Sequence, residues 1–245
     1  MSRVAYIDLD GTLLGPGGSL LRGADGAFSD AGVRALALLE REAVPVVLVS
    51  GRSQVRLDTV ARALGAAGTL AEMGALEAGY PTRAGQSVHD AIAETGIADE
   101  LLRREPGLQP HHLAAAGGRE GSHVLRGRAR PEAAEWVRGA SSGALRLADN
   151  GRIADDEHVY HLLPAAASKA AAVESDRERR GTPRAVTLAV GDSRQDLDMG
   201  RAVGRVAIVA NGASADPTVR ADAAWVTRGS YGAGVLEAVA AWLAA

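Results

Sequence analysis

Asp8-Leu9-Asp10-Gly11-Thr12-Leu13-Leu14 opens at the end of an apolar run at residues 4–9. An apolar run this short, closing in acidic residues and a glycine, reads as a buried strand that ends in a turn. Residues two apart alternate faces along a strand, but Gly11 frees the chain to turn where the strand stops. Both carboxylates can then crowd one site at the carboxyl edge of a sheet, where open α/β folds bind ligands. Crowded carboxylates repel unless a cation lies between them, and hard oxygen donors suit Mg²⁺. D-x-D-G also opens calcium loops of the EF-hand kind. The buried strand before it, and the lack of an acidic ladder after it, argue against that reading.

Outward from this stretch, strand-like and helix-like segments alternate at both ends of the 245-residue chain. Ser29 or Asp30 can cap a helix to about residue 43, and residues 44–49 are nearly all Val and Leu, as a parallel strand buried on both faces should be. A second helix covers 54–64 and stops at Gly65, and 69–71 is a weak third strand. The pattern resumes near Lys169 with a helix to about 180, strands at 185–190, 206–209 and 223–226, a short helix at 196–202 and a closing helix at 234–243. This alternation predicts an α/β fold with a doubly wound, mostly parallel, Rossmann-like sheet. The middle differs: a helix at 86–104, an alternating strand at 122–129, a short helix at 131–138, and strands at 145–148 and 158–163. That α+β pattern predicts an inserted domain over 81–163, jointed near Pro81 and Pro164, with residues 1–80 and 164–245 forming the core.

Three further segments carry chemistry. Gly191-Asp192-Ser193-Arg194-Gln195-Asp196 again follows an apolar strand. All strand ends of a parallel sheet lie on one edge, so Asp8, Asp10, Asp192 and Asp196 can converge although far apart in sequence. Four carboxylates together are strongly unfavourable without a divalent cation; helix capping by Asp192 or Asp196 is the ordinary alternative. Ser50-Gly51-Arg52 ends the strand at 44–49, where a hydroxyl beside a helix N-terminus can bind a phosphoryl oxygen or simply serve as an N-cap. Of the 27 basic residues one is a lysine, Lys169, at a helix start after the inserted segment. Its ammonium can neutralise a phosphoryl group and orient a carboxylate nucleophile.

In order and spacing, these four segments resemble the motifs of haloacid dehalogenase-like phosphatases, over essentially the whole chain. The insertion looks like the α+β cap of subfamily IIB, the Cof-type group that includes sucrose-phosphate, mannosyl-phosphoglycerate and archaeal-type phosphoglycolate phosphatases. Glu72-Met73-Gly74-Ala75 is similar to the Glu-Asn-Gly-Ala segment leading into that cap, and His161-Leu162-Leu163-Pro164 to its exit strand. The resemblance implies that Asp8 attacks phosphorus to form an aspartyl-phosphate, while Asp10 protonates the leaving oxygen and later deprotonates water. It implies Mg²⁺ held by the Asp8 carboxylate, the Asp10 main-chain carbonyl and Asp192, with Asp196 as a ligand or just behind one. Ser50, Gly51 and Lys169 would hold the transferring group, and the glycine-rich residues 15–26 would help shield it. Arg52 and Asn211 are candidate substrate contacts. The chain departs from the pattern at Gln195, where Asn is usual, at Met73, which replaces Asn, and at Ala170, where Gly is frequent.

Composition narrows the rest. A net charge of -3 argues against nucleic acid as a main partner. Hydrophobic residues make up 47% but aromatics 3%, which leaves few rings to stack a base or a large oligosaccharide. The absence of cysteine excludes disulfides, thiolate zinc sites and a Cys nucleophile. Met1 leads straight into the apolar run, without room for a secretion signal, and no apolar run approaches the roughly 20 residues that span a bilayer. The expectation is a cytoplasmic monomer or homodimer, without membrane partner, acting on a small phosphorylated metabolite such as a sugar phosphate or phospho-organic acid. Arg126, Arg128 and Arg130 would share a face if 122–129 is a strand; they suit a second anionic group on the substrate, or a solvated sheet face. His111, His112, His123, His158 and His161 lack HxH or HExxH spacing and read as structural. Two other functions fit the resemblance: a phosphomutase of the phosphomannomutase type and a catalytically idle binding protein. A dehalogenase is disfavoured, because an acidic metal cluster serves phosphate and not halide.

Overall fold

The computed structural model describes residues 3–111, 118–154 and 157–245, so His112 lies outside the described residues. Within them the strands are β1 (Val4–Asp8), β2 (Val46–Val49), β3 (Gly68–Leu70), β4 (Leu108–Pro110), β5 (His123–Gly127), β6 (Leu145–Ala154), β7 (Glu157–Pro164), β8 (Thr187–Gly191) and β9 (Arg205–Ile208). The chain divides into two compact units. One comprises Met1–Ser50, Asp58–Leu70 and Lys169–Ala245; the other comprises Gly51–Leu57 and Ala71–Ser168.

The first unit is built on a sheet of order β3-β2-β1-β8-β9 with every pairing parallel. Strands β1, β2 and β8 are buried along their whole length, which is why their sequences are continuous apolar runs and do not alternate. Val4, Tyr6, Val47, Val49 and Ala189 pack with Ala172 and Val173 of the helix Lys169–Arg179 and with Met199 and Val203. Ala5 and Ile7 alternate to the opposite face and are fully buried. The helix Tyr231–Leu243 lies against β8 and packs on the helix Ala31–Arg41. Burying a side chain such as Ile7 or Leu48 contributes roughly 1.5–3 kcal/mol. The winding reverses between β1 and β8: β1 leads outward to β2 and β3, β8 leads the other way to β9. Chain connections diverge at such a reversal, and their carboxyl ends open a crevice.

Two expectations for this unit change. Residues 223–226 do not form a full strand; Val226 makes a single parallel bridge to Ile208. The helix Pro217–Asp222 runs up to Ala223, and the Glu237 carboxylate draws the Arg228 and Gly229 amides away at 2.9 and 3.0 Å, which leaves room for little pairing. The short helix expected at 196–202 is an α-turn, Arg194–Leu197, continued by the 3-10 segment Asp198–Arg201.

The second unit carries an antiparallel sheet of order β4-β5-β7-β6. The helices Val88–Glu94, Ile97–Arg104 and Ala133–Ala140 cover it through a core that includes Ile92, Leu101, Leu125, Val137, Leu145 and Leu162. The helix expected over 86–104 is two helices. Gly96 takes φ +68° between them, and the Thr95 hydroxyl donates to the Ile92 carbonyl at 2.6 Å, ending the first. The expected common face of Arg126, Arg128 and Arg130 is also corrected. β5 ends at Gly127, whose φ of +123° turns the chain before Arg128 is reached. Arg130 instead clasps Glu105, and Arg126 lies 3.4 Å from Glu157. No helix among the described residues is long and apolar enough to cross a membrane.

Candidate active site

The carboxyl end of β1 delivers Asp8, and the segment after β8 delivers Asp192 and Asp196, on the two strands where the sheet's winding reverses. Lys169, at the first turn of its helix, reaches between them. Its Nζ donates to Asp8 Oδ1 and to Asp196 Oδ1, each at 2.7 Å, with all three side chains at most 5% exposed. The single lysine of the sequence is thus enclosed by two carboxylates.

Local sequence explains why these groups are so close. Gly11 takes φ +87°, and a side chain at that position would collide with Asp192 Oδ2. Thr12 donates from Oγ1 to Asp192 Oδ1 at 3.3 Å, so the turn after β1 also fixes the acid after β8. Gly191 is equally constrained, since any Cβ there would strike the Asp196 side chain. Asp196 belongs to a capping box with Ser193: its Oδ2 accepts from the Asp192 and Ser193 amides at 3.2 and 3.0 Å and from the Ser193 hydroxyl at 2.5 Å. Helix capping and lysine binding are therefore done by the two oxygens of one side chain.

Electrostatics follow from burial. Desolvation pushes the Asp8 carboxyl well above its ordinary range; Lys169 opposes this, while Asp196 and Asp192 reinforce it. Asp192 is pushed up to about 7, by desolvation first and then by Asp196. Burial alone would lower the Lys169 ammonium, but Asp196 and Asp8 outweigh it and hold the proton on more tightly than usual. One cation among three acids leaves a surplus of negative charge.

That surplus, and its geometry, fit a divalent cation. Oxygens of Asp8, Asp192 and Asp196 lie within 4.8 Å of one another. Asp8 Oδ2 is buried and, among the described residues, accepts no hydrogen bond. Both oxygens of Asp196 are engaged, so Asp8 and Asp192 are the acids best placed to offer lone pairs, and the donor set is all oxygen.

The other sequence-predicted residues are placed as follows. Asp10 is exposed, and its backbone bridges to Leu14. Ser50 is buried, with its amide on the Leu70 carbonyl at 2.9 Å. Asn211 braces the site: its Nδ2 donates to the Gly11 carbonyl at 2.8 Å and its Oδ1 accepts from the Tyr231 amide at 2.9 Å. Gly51, Arg52, Arg126 and Arg128 belong to the second unit. Thr12 and Ser193 lie inside the quoted motifs, but spacing alone gave neither a partner.

Residues 148–239 match the haloacid dehalogenase-like hydrolase family. The chain carries that match over 92 of its 245 residues. It is 28% identical over 242 residues to the phosphoglycolate phosphatase of Methanothermobacter thermautotrophicus, covering 97% of each chain. Among solved structures it shares its fold with a protein of Thermoplasma acidophilum, at TM-score 0.71, 22% identity and 99% coverage of each chain. It also shares the fold of the Synechocystis sucrose-phosphatase solved with sucrose and phosphate, at TM-score 0.70, 17% identity and coverage of 99% of this chain and 98% of that one.

Proposed function

We propose that the chain is a phosphomonoester hydrolase acting on a small phosphorylated metabolite through a covalent intermediate on Asp8. The observation that carries this reading is the Lys169 ammonium, 2.7 Å from Asp8 Oδ1, beside an Asp8 Oδ2 that no donor among the described residues occupies. Lysine fixes the Asp8 carboxylate and screens its charge, so that it is oriented for attack as a nucleophile. One Asp8 oxygen attacks phosphorus, the bond from phosphorus to the ester oxygen breaks, and Asp10 gives that oxygen its proton. Water then attacks the aspartyl-phosphate, Asp10 takes the proton back, and inorganic phosphate and free Asp8 result. Lys169 stays charged throughout and offsets the negative charge of the transferring group. Asp8, Asp192 and the Asp10 carbonyl would hold Mg²⁺, which when bound would neutralise phosphoryl oxygens.

The substrate class rests on the relatives. The similarity to a phosphoglycolate phosphatase over 97% of the chain makes a phospho-organic acid the first compound to try, with sugar phosphates next. Inorganic phosphate release should be measured across phosphoglycolate and a panel of sugar phosphates, with Mg²⁺ and with EDTA. The reading expects release that EDTA abolishes and Mg²⁺ restores. Release indifferent to EDTA would remove the metal from the mechanism, and no release from any ester would remove hydrolysis.

A further inference from the structure

We infer that the buried ion pair Glu72–Arg119 is a positioning device for the Ser50-Gly51-Arg52 turn; this rests on the reading that the turn holds the phosphoryl group. The sequence singles out Glu72 only as the start of a segment leading into the insertion, and Arg119 not at all. Glu72 is fully buried, and its carboxylate accepts from the Glu120 amide at 2.9 Å, the Gly121 amide at 3.2 Å and the Ser122 hydroxyl at 2.7 Å. Arg119 Nη1 lies 3.5 Å from Glu72 Oε2, with the arginine side chain 7% exposed. A carboxylate this deep persists only with such donors around it.

The same pair reaches the turn. Arg119 Nη1 donates to the Gly51 carbonyl at 3.0 Å, and the Glu72 amide donates to the Arg52 carbonyl at 3.0 Å. Two successive carbonyls of the turn, directly after Ser50, are therefore held by the two paired residues, Gly51 by the Arg119 guanidinium and Arg52 by the Glu72 main chain. Glu72 and Met73 adopt φ of +48° and +61°, a conformation side chains resist, and strain of this kind survives only where surrounding bonds overdetermine it. Supporting the segment 119–122 alone would not require Arg119 to reach Gly51. Fixing the backbone on which a phosphate is to sit does.

The test uses inorganic phosphate as the probe, its binding measured by calorimetry in Mg²⁺ and its product inhibition by kinetics, with thermal unfolding recorded alongside. The variants are the double Glu72→Gln/Arg119→Met, which leaves neither charge orphaned, and Arg119→Lys. The control is Glu105→Gln/Arg130→Met, an ion pair of the same unit whose bonds run to Arg104 and the Arg130 backbone. The double variant should bind phosphate about tenfold more weakly and raise KM in step, because small displacements of a positioning group are costly. Arg119→Lys should recover part of the loss, since one atom, Nη1, meets both Gly51 and Glu72 and an ammonium on the shorter lysine stem reaches that point less well. Phosphate affinity within twofold of wild type in the double variant overturns the proposal whatever its melting temperature, as does an equal loss in the control. Should the double variant not fold, Arg119→Lys decides alone: affinity unchanged from wild type overturns the proposal. A wild type that binds phosphate yet hydrolyses no ester overturns the hydrolase reading only, because the ratio among variants still reports on positioning. A wild type that binds no phosphate overturns both.

Discussion

Lys169 illustrates how a residue's chemistry is set by what encloses it. Its ammonium satisfies two carboxylates at once, so its removal strips Asp8 of its orienting donor and leaves buried acids facing each other. Lys169→Met should lower turnover by about 10²–10³-fold, the range found when one electrostatic donor of a catalytic site is deleted. Lys169→Arg should not rescue it, because a planar fork cannot replace a compact donor seated between two oxygens. Turnover near wild type in the methionine variant would show that Asp8 needs no lysine. Gly11 gives a second prediction at this scale. Its φ of +87° and its closeness to Asp192 mean that Gly11→Ala both strains the backbone and displaces an acid. The variant should lose more than about 1 kcal/mol in denaturant unfolding together with most of its activity. Full activity with unchanged stability would contradict the geometry.

At the scale of elements, the second unit has its own dependence on acid. His123 of β5 stacks on His89 of the helix Val88–Glu94, ring centroids 3.8 Å apart. His123 Nε2 donates to the His89 carbonyl at 3.0 Å, and His89 Nδ1 to that of Ser122 at 2.9 Å. Burial, then the neighbouring His89, holds His123 below the ordinary histidine value, while Asp99 and Asp90 pull weakly the other way. The unfolded chain therefore binds a proton before the folded one does, and stability falls as pH drops below about 6.5. The protection of β5 amides, relative to their intrinsic exchange rates, should fall from pH 7 to pH 5, and His123→Gln should flatten that dependence. Equal acid dependence in the variant would place its origin elsewhere. The elements themselves were unevenly legible. β1, β2 and β8 announced themselves as apolar runs because both faces are buried, and the helix Gln54–Leu64 was bounded by its own Gly65. β4 is illegible in the sequence because three residues ending in Pro110 carry no period, and the spacing puts Arg128 on a strand because nothing in it marks Gly127 as the strand's end.

For the whole molecule, the parallel order of the sheet turns distant motifs into one site. Asp8 and Asp192 are 184 positions apart (192 − 8) yet linked through Thr12. That convergence was readable, because strand ends in a parallel sheet share an edge. The clasp of Lys169 by Asp196, and of Asn211 by Gly11, was not; each depends on side-chain reach that spacing does not encode. The Glu72–Arg119 pair was hidden for the same reason, its partners lying 47 positions apart.

The central claim is that Asp8 itself carries the phosphoryl group. It is tested most directly by mixing the Mg²⁺-loaded protein with its best ester substrate, quenching in acid within the first turnover, and weighing the peptides by mass spectrometry. The account predicts one added phosphoryl group on the peptide containing Asp8, lost on mild alkaline treatment and absent from Asp8→Asn. Rapid hydrolysis during the same interval with no phosphoryl group on that peptide, or an Asp8→Asn variant that still turns over, would contradict it.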